Sequence, residues 1–108
     1  GVATAPGNGD VNFIVHTWKA YLYPTPPDES EKSSRRHAWN LHRRILKSLR
    51  ERGRPETEAR QWEDALLAAA FSDPFHAARA TTLQYIFKHA SRIMRERAHA
   101  QRKGVLKL

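Results

Sequence analysis

Arginine and lysine recur in two stretches of this sequence at intervals that match one side of an α-helix. The first set is separated by 7, 4 and 3 residues and the second by 4, 3 and 7 residues. At about 100° per residue, each set falls on one side of its helix. The two sets are Arg36, Arg43, Lys47 and Arg50, followed by Lys88, Arg92, Arg95 and Arg102. Such rows of cations can bind the phosphates of a polyanion.

The charge of the chain is divided unevenly along its length. Residues 32–54 contain nine Lys or Arg and one acid, and residues 88–108 contain seven and one. Residues 55–73 contain one Arg and five acids. Solvated helix faces usually mix signs, because opposite charges three or four residues apart stabilise a helix and like charges destabilise it. We therefore expect a polyanionic partner for the two basic stretches.

Arginine outnumbers lysine by thirteen to six, and the chain carries a net charge of +8. The planar guanidinium group matches phosphate geometry and stacks on bases, which favours nucleic acid, above all DNA, over a membrane surface. Asn40 and Gln84 lie beside the rows and could contact base edges, although a solvated surface amide is the favoured interpretation of each. Trp39 and Tyr85 also border them and could stack on bases, although packing at the edge of the core is the favoured interpretation of both.

Other chemistry finds little support in the sequence. No cysteine is present, which excludes disulfides, thiolate metal sites and a cysteine nucleophile. The six histidines include no pair four residues apart, as His37 and His42 illustrate, so no metal site is expected. Glu63 and Asp64 are adjacent and would point about 100° apart on a helix. We expect no catalytic residue, no cofactor and no enzymatic activity.

The elements that position these residues are predicted to be four helices in a small all-α bundle. With 108 residues, 40% of them hydrophobic, the chain has room for one domain. The predicted helices cover Val11–Leu22 with Asp10 as N-cap, Ser33–Arg52, a third starting at Pro55, and Thr82–Lys103. Residues 1–10 are predicted to be a flexible linker within a longer protein, residues 11–104 the helical domain, and residues 105–108 a tail.

Hydrophobic periodicity predicts which side of each helix is buried. In chain order the inner faces are Ile14, Val15, Trp18 and Leu22; Ala38, Leu41, Ile45 and Leu49; Trp62, Ala65, Leu66, Ala69 and Ala70; and Leu83, Ile86, Phe87, Ala90, Ile93 and Met94. Asp73 is predicted to cap a short turn beginning at Pro74, with His76 as a turn residue. The prolines at 24, 26 and 27 predict a stiff connector between the first two helices.

Four segments together resemble the C-terminal helical region of phage and prophage replication proteins of the replisome-organiser type. In order they are Phe13–Trp18, Trp62–Leu66, Ser72–Phe75 and Thr82–Phe87, within residues 12–95. The three prolines lie outside this pattern. The resemblance implies association with DNA replication and with helicase recruitment. It implies no catalytic residue and no particular DNA contact.

We therefore expect a non-catalytic nucleic-acid-binding module of a DNA-replication or DNA-processing protein, in the cytoplasm of a bacterial or phage-infected cell. Two alternatives remain open. The bundle could dock an acidic partner such as a replicative helicase or its loader. It could also form a homo-oligomer, in which the acidic third helix of one copy meets a basic row of another. No membrane association is expected, since no apolar run approaches the roughly 20 residues of a membrane span.

Overall fold

The chain folds as an all-α bundle, as its periodicity predicts. A computed structural model describes residues 8–107, with side chains for residues 9–102. The helices are α1 (Asn8–Leu22), α2 (Glu31–Glu51), α3 (Ala59–Ser72), α4 (Pro74–Ala77) and α5 (Leu83–Lys107), with a 3₁₀ turn at Glu56–Glu58 before α3. Between residues 8 and 107 there is no β-strand. Four of these helices are long enough to build the bundle, and α4 is a single turn.

The first helix begins earlier than the sequence predicts. Residues 8–10 belong to α1, so the linker boundary at residue 10 and the assignment of Asp10 as N-cap are wrong. Asp10 lies in the first turn, where a carboxylate is favoured by the helix dipole. Its Oδ1 accepts a charge-assisted hydrogen bond from Arg60 Nε at 2.8 Å, which gives the carboxylate a partner outside its own helix. Residues 1–7 of the predicted linker lie outside the described residues.

The second helix is bounded by recognisable caps. The Ser30 hydroxyl accepts a hydrogen bond from Ser33 N at 3.1 Å, so α2 starts two residues before the predicted position. The helix ends before Gly53, whose φ of +68° is the left-handed conformation that glycine adopts readily. The predicted glycine terminator is confirmed at this position.

The later helices combine confirmed and incorrect predictions. Pro55 precedes the 3₁₀ turn rather than opening α3 directly. Asp73 caps α4 as predicted, because its Oδ1 accepts from Phe75 N at 3.0 Å. The predicted end of the last helix before Gly104 is wrong, since α5 continues through residues 105–107 of the expected tail. A glycine lowers helix propensity by about 1 kcal/mol, but it stops a helix only where the backbone turns left-handed.

Most of the core is formed by the predicted inner faces of α1, α2 and α5, with Ile45, Phe87 and Met94 half-buried at its edge. Trp18 is fully buried, and its Nε1 donates to the carbonyl oxygen of Ala80 at 2.8 Å, which ties α1 to the segment before α5. Every predicted inner residue of α1 is buried, and Leu83, Ile86, Ala90 and Ile93 are buried on α5. Helix α1 packs on α2 and α3, and both of those pack on α5.

The proline-containing connector between α1 and α2 is fastened to the start of α5. Asp28 N donates to Thr81 O at 2.8 Å. The Glu29 carboxylate accepts from Leu83 N at 2.7 Å and from the Ser34 hydroxyl at 2.9 Å. A carboxylate at a helix N-terminus is stabilised by the unpaired N–H groups there. These contacts fix α2 relative to α5, the two helices that carry the basic rows.

Candidate nucleic-acid interface

The predicted basic face of α2 lies on the surface. Arg36, Arg43, Lys47 and Arg50 are all exposed, while the opposite side of α2 enters the core. Arg50 Nη1 lies 3.5 Å from Glu56 Oε2, and both side chains are more than half exposed, so this ion pair contributes little. For the other three cations, no carboxylate within the described part of the chain lies within 4.0 Å.

The basic face of α5 is exposed as well. Lys88, Arg92, Arg95 and Arg102 all lie on the surface. Arg92 Nε donates to Glu96 Oε2 at 2.9 Å, and this bond holds the pKa of the Glu96 carboxyl below its usual range. No such partner is found among residues 9–102 for the other three cations. A break in the helical backbone at His89, with φ −112° and ψ 17°, separates Lys88 from the rest of the row.

The two basic faces belong to neighbouring helices. Arg44 extends from α2 to α5, where its Nη1 donates to Phe87 O at 2.7 Å and its guanidinium lies 4.0 Å from the centre of the Phe87 ring. Arg43, Lys47 and Arg50 line an open concavity of about 790 Å³ that reaches Phe87. Six exposed cations, unpaired among the described side chains, are therefore presented by two helices that pack on each other.

The candidate base-contacting residues take different positions. Asn40 is half-buried in the same concavity, and Gln84 is exposed at the start of α5. Trp39 and Tyr85 are half-buried and pack against the core. The Tyr85 hydroxyl is also hydrogen-bonded to His76 Nδ1 at 2.8 Å. Packing at the core edge therefore accounts for both aromatic residues, although Trp39 also lines the concavity.

An exposed aromatic residue that the sequence did not single out lies beside the α5 row. Phe75 on α4 is 45% exposed. The Arg79 guanidinium lies 3.7 Å from its ring centre, and that of Arg92 lies 5.3 Å away. Helical spacing could not identify this group, because α4 is a single turn and Phe75 belongs to neither predicted row. Guanidinium groups on a ring face are attracted by its quadrupole, which orients both arginines.

A buried polar cluster joins α1, α2 and α3. Glu63 is fully buried, and its Oε2 shares a hydrogen bond of 2.6 Å with His42 Nδ1, which lies 3.5 Å from Asp10 Oδ2. The second oxygen, Glu63 Oε1, has no hydrogen-bond partner and lies 4.0 Å from Arg60 Nε. Burial raises the pKa of Glu63 to about 7, with the negative charge of Asp10 adding to the rise.

This cluster corrects the predicted inner face of α3. Glu63 occupies a buried position, while Trp62, which the periodicity places inside, is 37% exposed. The polar partner from α2 lets the carboxyl group enter the core, since a buried polar group needs a hydrogen bond. The indole of Trp62 instead lies 5.8 Å from the Arg52 guanidinium.

A second cluster joins α4 to α5. His76 lies in the single turn of α4, as predicted, but it is buried, and its Nε2 lies 2.7 Å from Glu96 Oε1 and 3.6 Å from Asp73 Oδ2. In each cluster three potential ligand atoms lie within 4.8 Å of one another. In each, however, an arginine already pairs with one carboxylate, namely Arg60 with Asp10 and Arg92 with Glu96. We interpret both as hydrogen-bonded structural networks.

No family model, curated protein or solved structure matches this chain. Across residues 8–107, no helix combines the length and apolar character that crossing a bilayer requires. The functional interpretation therefore depends on the surface chemistry described above.

Proposed function

We propose that this chain is a non-catalytic helical module that binds nucleic acid, above all DNA, through the outward faces of α2 and α5. The observation that carries the proposal is the set of six exposed cations without a carboxylate partner among the described side chains. They are Arg36, Arg43, Lys47, Lys88, Arg95 and Arg102. The parent protein would act in DNA replication or another DNA-processing event, in the cytoplasm of a bacterial or phage-infected cell.

Electrostatics supports this function. Aligned like charges repel one another along a helix, and a phosphate backbone relieves that repulsion. Five to eight neutralised phosphates predict that the logarithm of the affinity falls with the logarithm of salt concentration, with a slope of roughly −4 to −7. Such contacts position a protein on nucleic acid without reading its sequence.

The oligomerisation alternative has less surface available to it. Of the five acids in residues 55–73, Glu63 is buried against His42, Glu58 pairs with Arg54, and Asp73 Oδ2 lies 3.6 Å from His76 Nε2. Glu56, which is exposed and only weakly paired with Arg50, and the exposed Asp64 are the two acids of this segment left to meet the basic row of a second copy. Light scattering across a range of salt concentrations tests this alternative directly.

A pair of charge-matched variants tests the proposed function. Arg43, Lys47 and Lys88 are replaced together with alanine, which removes three unpaired cations from the two rows. The control replaces Lys19, Arg54 and Arg79 with alanine, which removes three surface cations elsewhere. Arg95 is left in place because it also lines a second concavity, between α2, α3 and α5. Binding to a fluorescent duplex and to a single strand is measured by anisotropy at several salt concentrations, and helicity is checked by circular dichroism.

The row variant should bind the oligonucleotides at least about tenfold more weakly. The slope of its log affinity against log salt concentration should be smaller in magnitude by about two to three. The control should show a much smaller loss, caused only by its lower net charge. Equal weakening by the two variants would show that net charge, not the arrangement on α2 and α5, governs binding. Absence of binding at low salt would remove the proposed function altogether.

A further inference from the structure

A groove between α2, α3 and α5 shares Arg95 with the α5 row and is otherwise lined by residues outside the two basic rows. It encloses about 660 Å³. Its floor is apolar and consists of Leu41, Ile45, Leu49, Trp62, Leu66, Ala90, Met94 and Ala98. Ile45, Met94 and Ala98 are half-buried and Trp62 is exposed, so part of this floor faces solvent. Partly exposed apolar surface inside a groove is typical of a binding site.

The lining of the groove has charges of one sign only. Arg44, Arg52, Arg95 and Arg97 line it together with two serines, and no acidic residue does. Within the described part of the chain, none of these four arginines has a carboxylate within 4.0 Å. Two of them are held in place by aromatic rings, Arg44 by Phe87 and Arg52 by Trp62. The groove therefore presents oriented cations around an apolar floor.

We propose that this groove binds an acidic amphipathic helix of a partner protein. The groove runs along α2 from Leu41 to Arg52, the residue that caps its C-terminus, which at 1.5 Å per residue is roughly 16 Å, or three helical turns. The backbone positions of Arg44 and Arg52 are eight residues apart and so roughly 12 Å apart along the axis. Carboxylates two turns apart on a docked helix match that separation. Its apolar side chains, spaced i, i+3, i+4 and i+7, would cover the floor.

Other occupants fit the groove less well. A nucleic-acid backbone would cover the aliphatic floor with charged phosphates and leave it without an apolar partner. An extended peptide would find no strand edge to pair with among residues 8–107. The chain's own ends also lack the required chemistry, because residues 1–7 carry no charged side chain and residues 103–108 contain two lysines and no acid. The proposal does not depend on nucleic-acid binding by the rows.

The probe is a fluorescein-labelled helical peptide of about four turns, with leucines at i, i+3, i+4 and i+7 and glutamates flanking them. A matched peptide carries glutamine at every glutamate position. The groove variant replaces Arg52 and Arg97 with alanine, and the control variant replaces Arg54 and Arg79, so both lose two positive charges. Ala98→Arg fills the floor while adding a positive charge, and Trp62→Ala removes the exposed floor side chain without adding bulk.

We expect saturable binding of the acidic peptide and at least about tenfold weaker binding of the glutamine peptide. The Arg52/Arg97 variant and the Ala98→Arg variant should each bind the acidic peptide about tenfold more weakly, and Trp62→Ala should also lower the affinity for this peptide. The control variant should change that affinity less than about twofold. The proposal is overturned if binding of the acidic peptide does not saturate, or if the Ala98→Arg variant binds this peptide as tightly as the unaltered chain does. It is also overturned if the groove variant and the control variant lose the same amount of affinity for the peptide.

A duplex oligonucleotide measured on the same proteins separates this proposal from the proposed function. Loss of duplex affinity in the Arg52/Arg97 variant, equal to its loss of peptide affinity, would instead make the groove part of the nucleic-acid surface. The Arg43/Lys47/Lys88 variant should retain peptide binding within about twofold. Failure of duplex binding with intact peptide binding would remove only the proposed function.

Discussion

Replacing Glu63 with glutamine should remove a pH dependence of folding stability that the unaltered chain carries. Glu63 is fully buried and makes its hydrogen bond to His42 through Oε2, whereas Oε1 has no partner. Burial penalises its charged form, the Asp10 carboxylate adds repulsion, and His42 and Arg60 only partly compensate. The pKa of Glu63 is consequently raised from 4.5 to about 7.

The sign and size of the effect follow from this rise in the pKa. Below about pH 4.5 the carboxyl is protonated in both the folded and the unfolded chain, and the stabilising effect of the raised pKa is fully present. Between 4.5 and about 7 the folded chain keeps a proton that the unfolded chain has released, so the free energy of unfolding falls as pH rises, by about 1.4 kcal/mol per pH unit. The total loss by pH 8 is on the order of 3 kcal/mol. Glutamine has the same shape and no charge, so the variant lacks this loss.

Urea unfolding at intervals between pH 5 and 8.5, followed by circular dichroism, measures the difference between the two proteins. The free energy of unfolding of the Glu63→Gln variant, relative to the unaltered chain, should rise by roughly 2 to 3 kcal/mol across that range. Glu51→Gln, which alters an exposed glutamate on α2, is the control, and its free energy of unfolding relative to the unaltered chain should not change with pH.

The carboxyl ¹³C shift of Glu63 should titrate near pH 7. A midpoint near 4, or a stability difference that does not change with pH, would refute this interpretation of the cluster.

Two further substitutions test contacts that stabilise the bundle. Trp18→Phe removes the N–H that donates to the buried Ala80 carbonyl oxygen at 2.8 Å, and should lower the free energy of unfolding by about 1–3 kcal/mol in urea titrations. A loss under about 0.5 kcal/mol would show that another donor reaches that oxygen. Gly53→Ala places a side chain at φ +68°, where the surroundings are open, and should cost about 1 kcal/mol of backbone strain, read as a lower thermal midpoint.

Helical periodicity is sufficient to predict the bundle and its basic surface, because both depend on intervals within a single helix. The buried faces of α1 and α5 and the exposure of all eight cations follow from those intervals. Helix ends are harder to predict. Asp10 does not act as an N-cap, since its carboxylate has a better partner in Arg60 on another helix. Gly104 lies within α5 rather than beyond its end, because glycine alone does not stop a helix.

The polar clusters and the groove could not be predicted from the sequence, because each requires side chains from separate elements. Glu63 stands 21 residues from His42, and His76 stands 20 residues from Glu96. No interval along one helix relates the members of these pairs. Periodicity predicts the wrong burial for both Trp62 and Glu63, because it ranks residues by hydrophobicity alone. It takes no account of a histidine on another helix whose hydrogen bond lets a carboxyl group be buried.

The placement of the acidic residues explains how so much positive charge remains available on α2 and α5. Were the carboxylates of residues 55–73 exposed and unpaired, they would attract the nearby cations of the basic rows. Instead Glu63 is withdrawn into the core, and Glu58 pairs locally with Arg54. Among the acids of residues 55–73, only Glu56 lies within 4.0 Å of a row residue, Arg50, at 3.5 Å, and the exposed Asp64 makes no such contact. Removing Glu56 should therefore leave one more cation without a partner, while Glu63→Gln should leave the rows unaffected. The pH dependence of folding can thus be altered without changing the salt dependence that the proposed binding predicts.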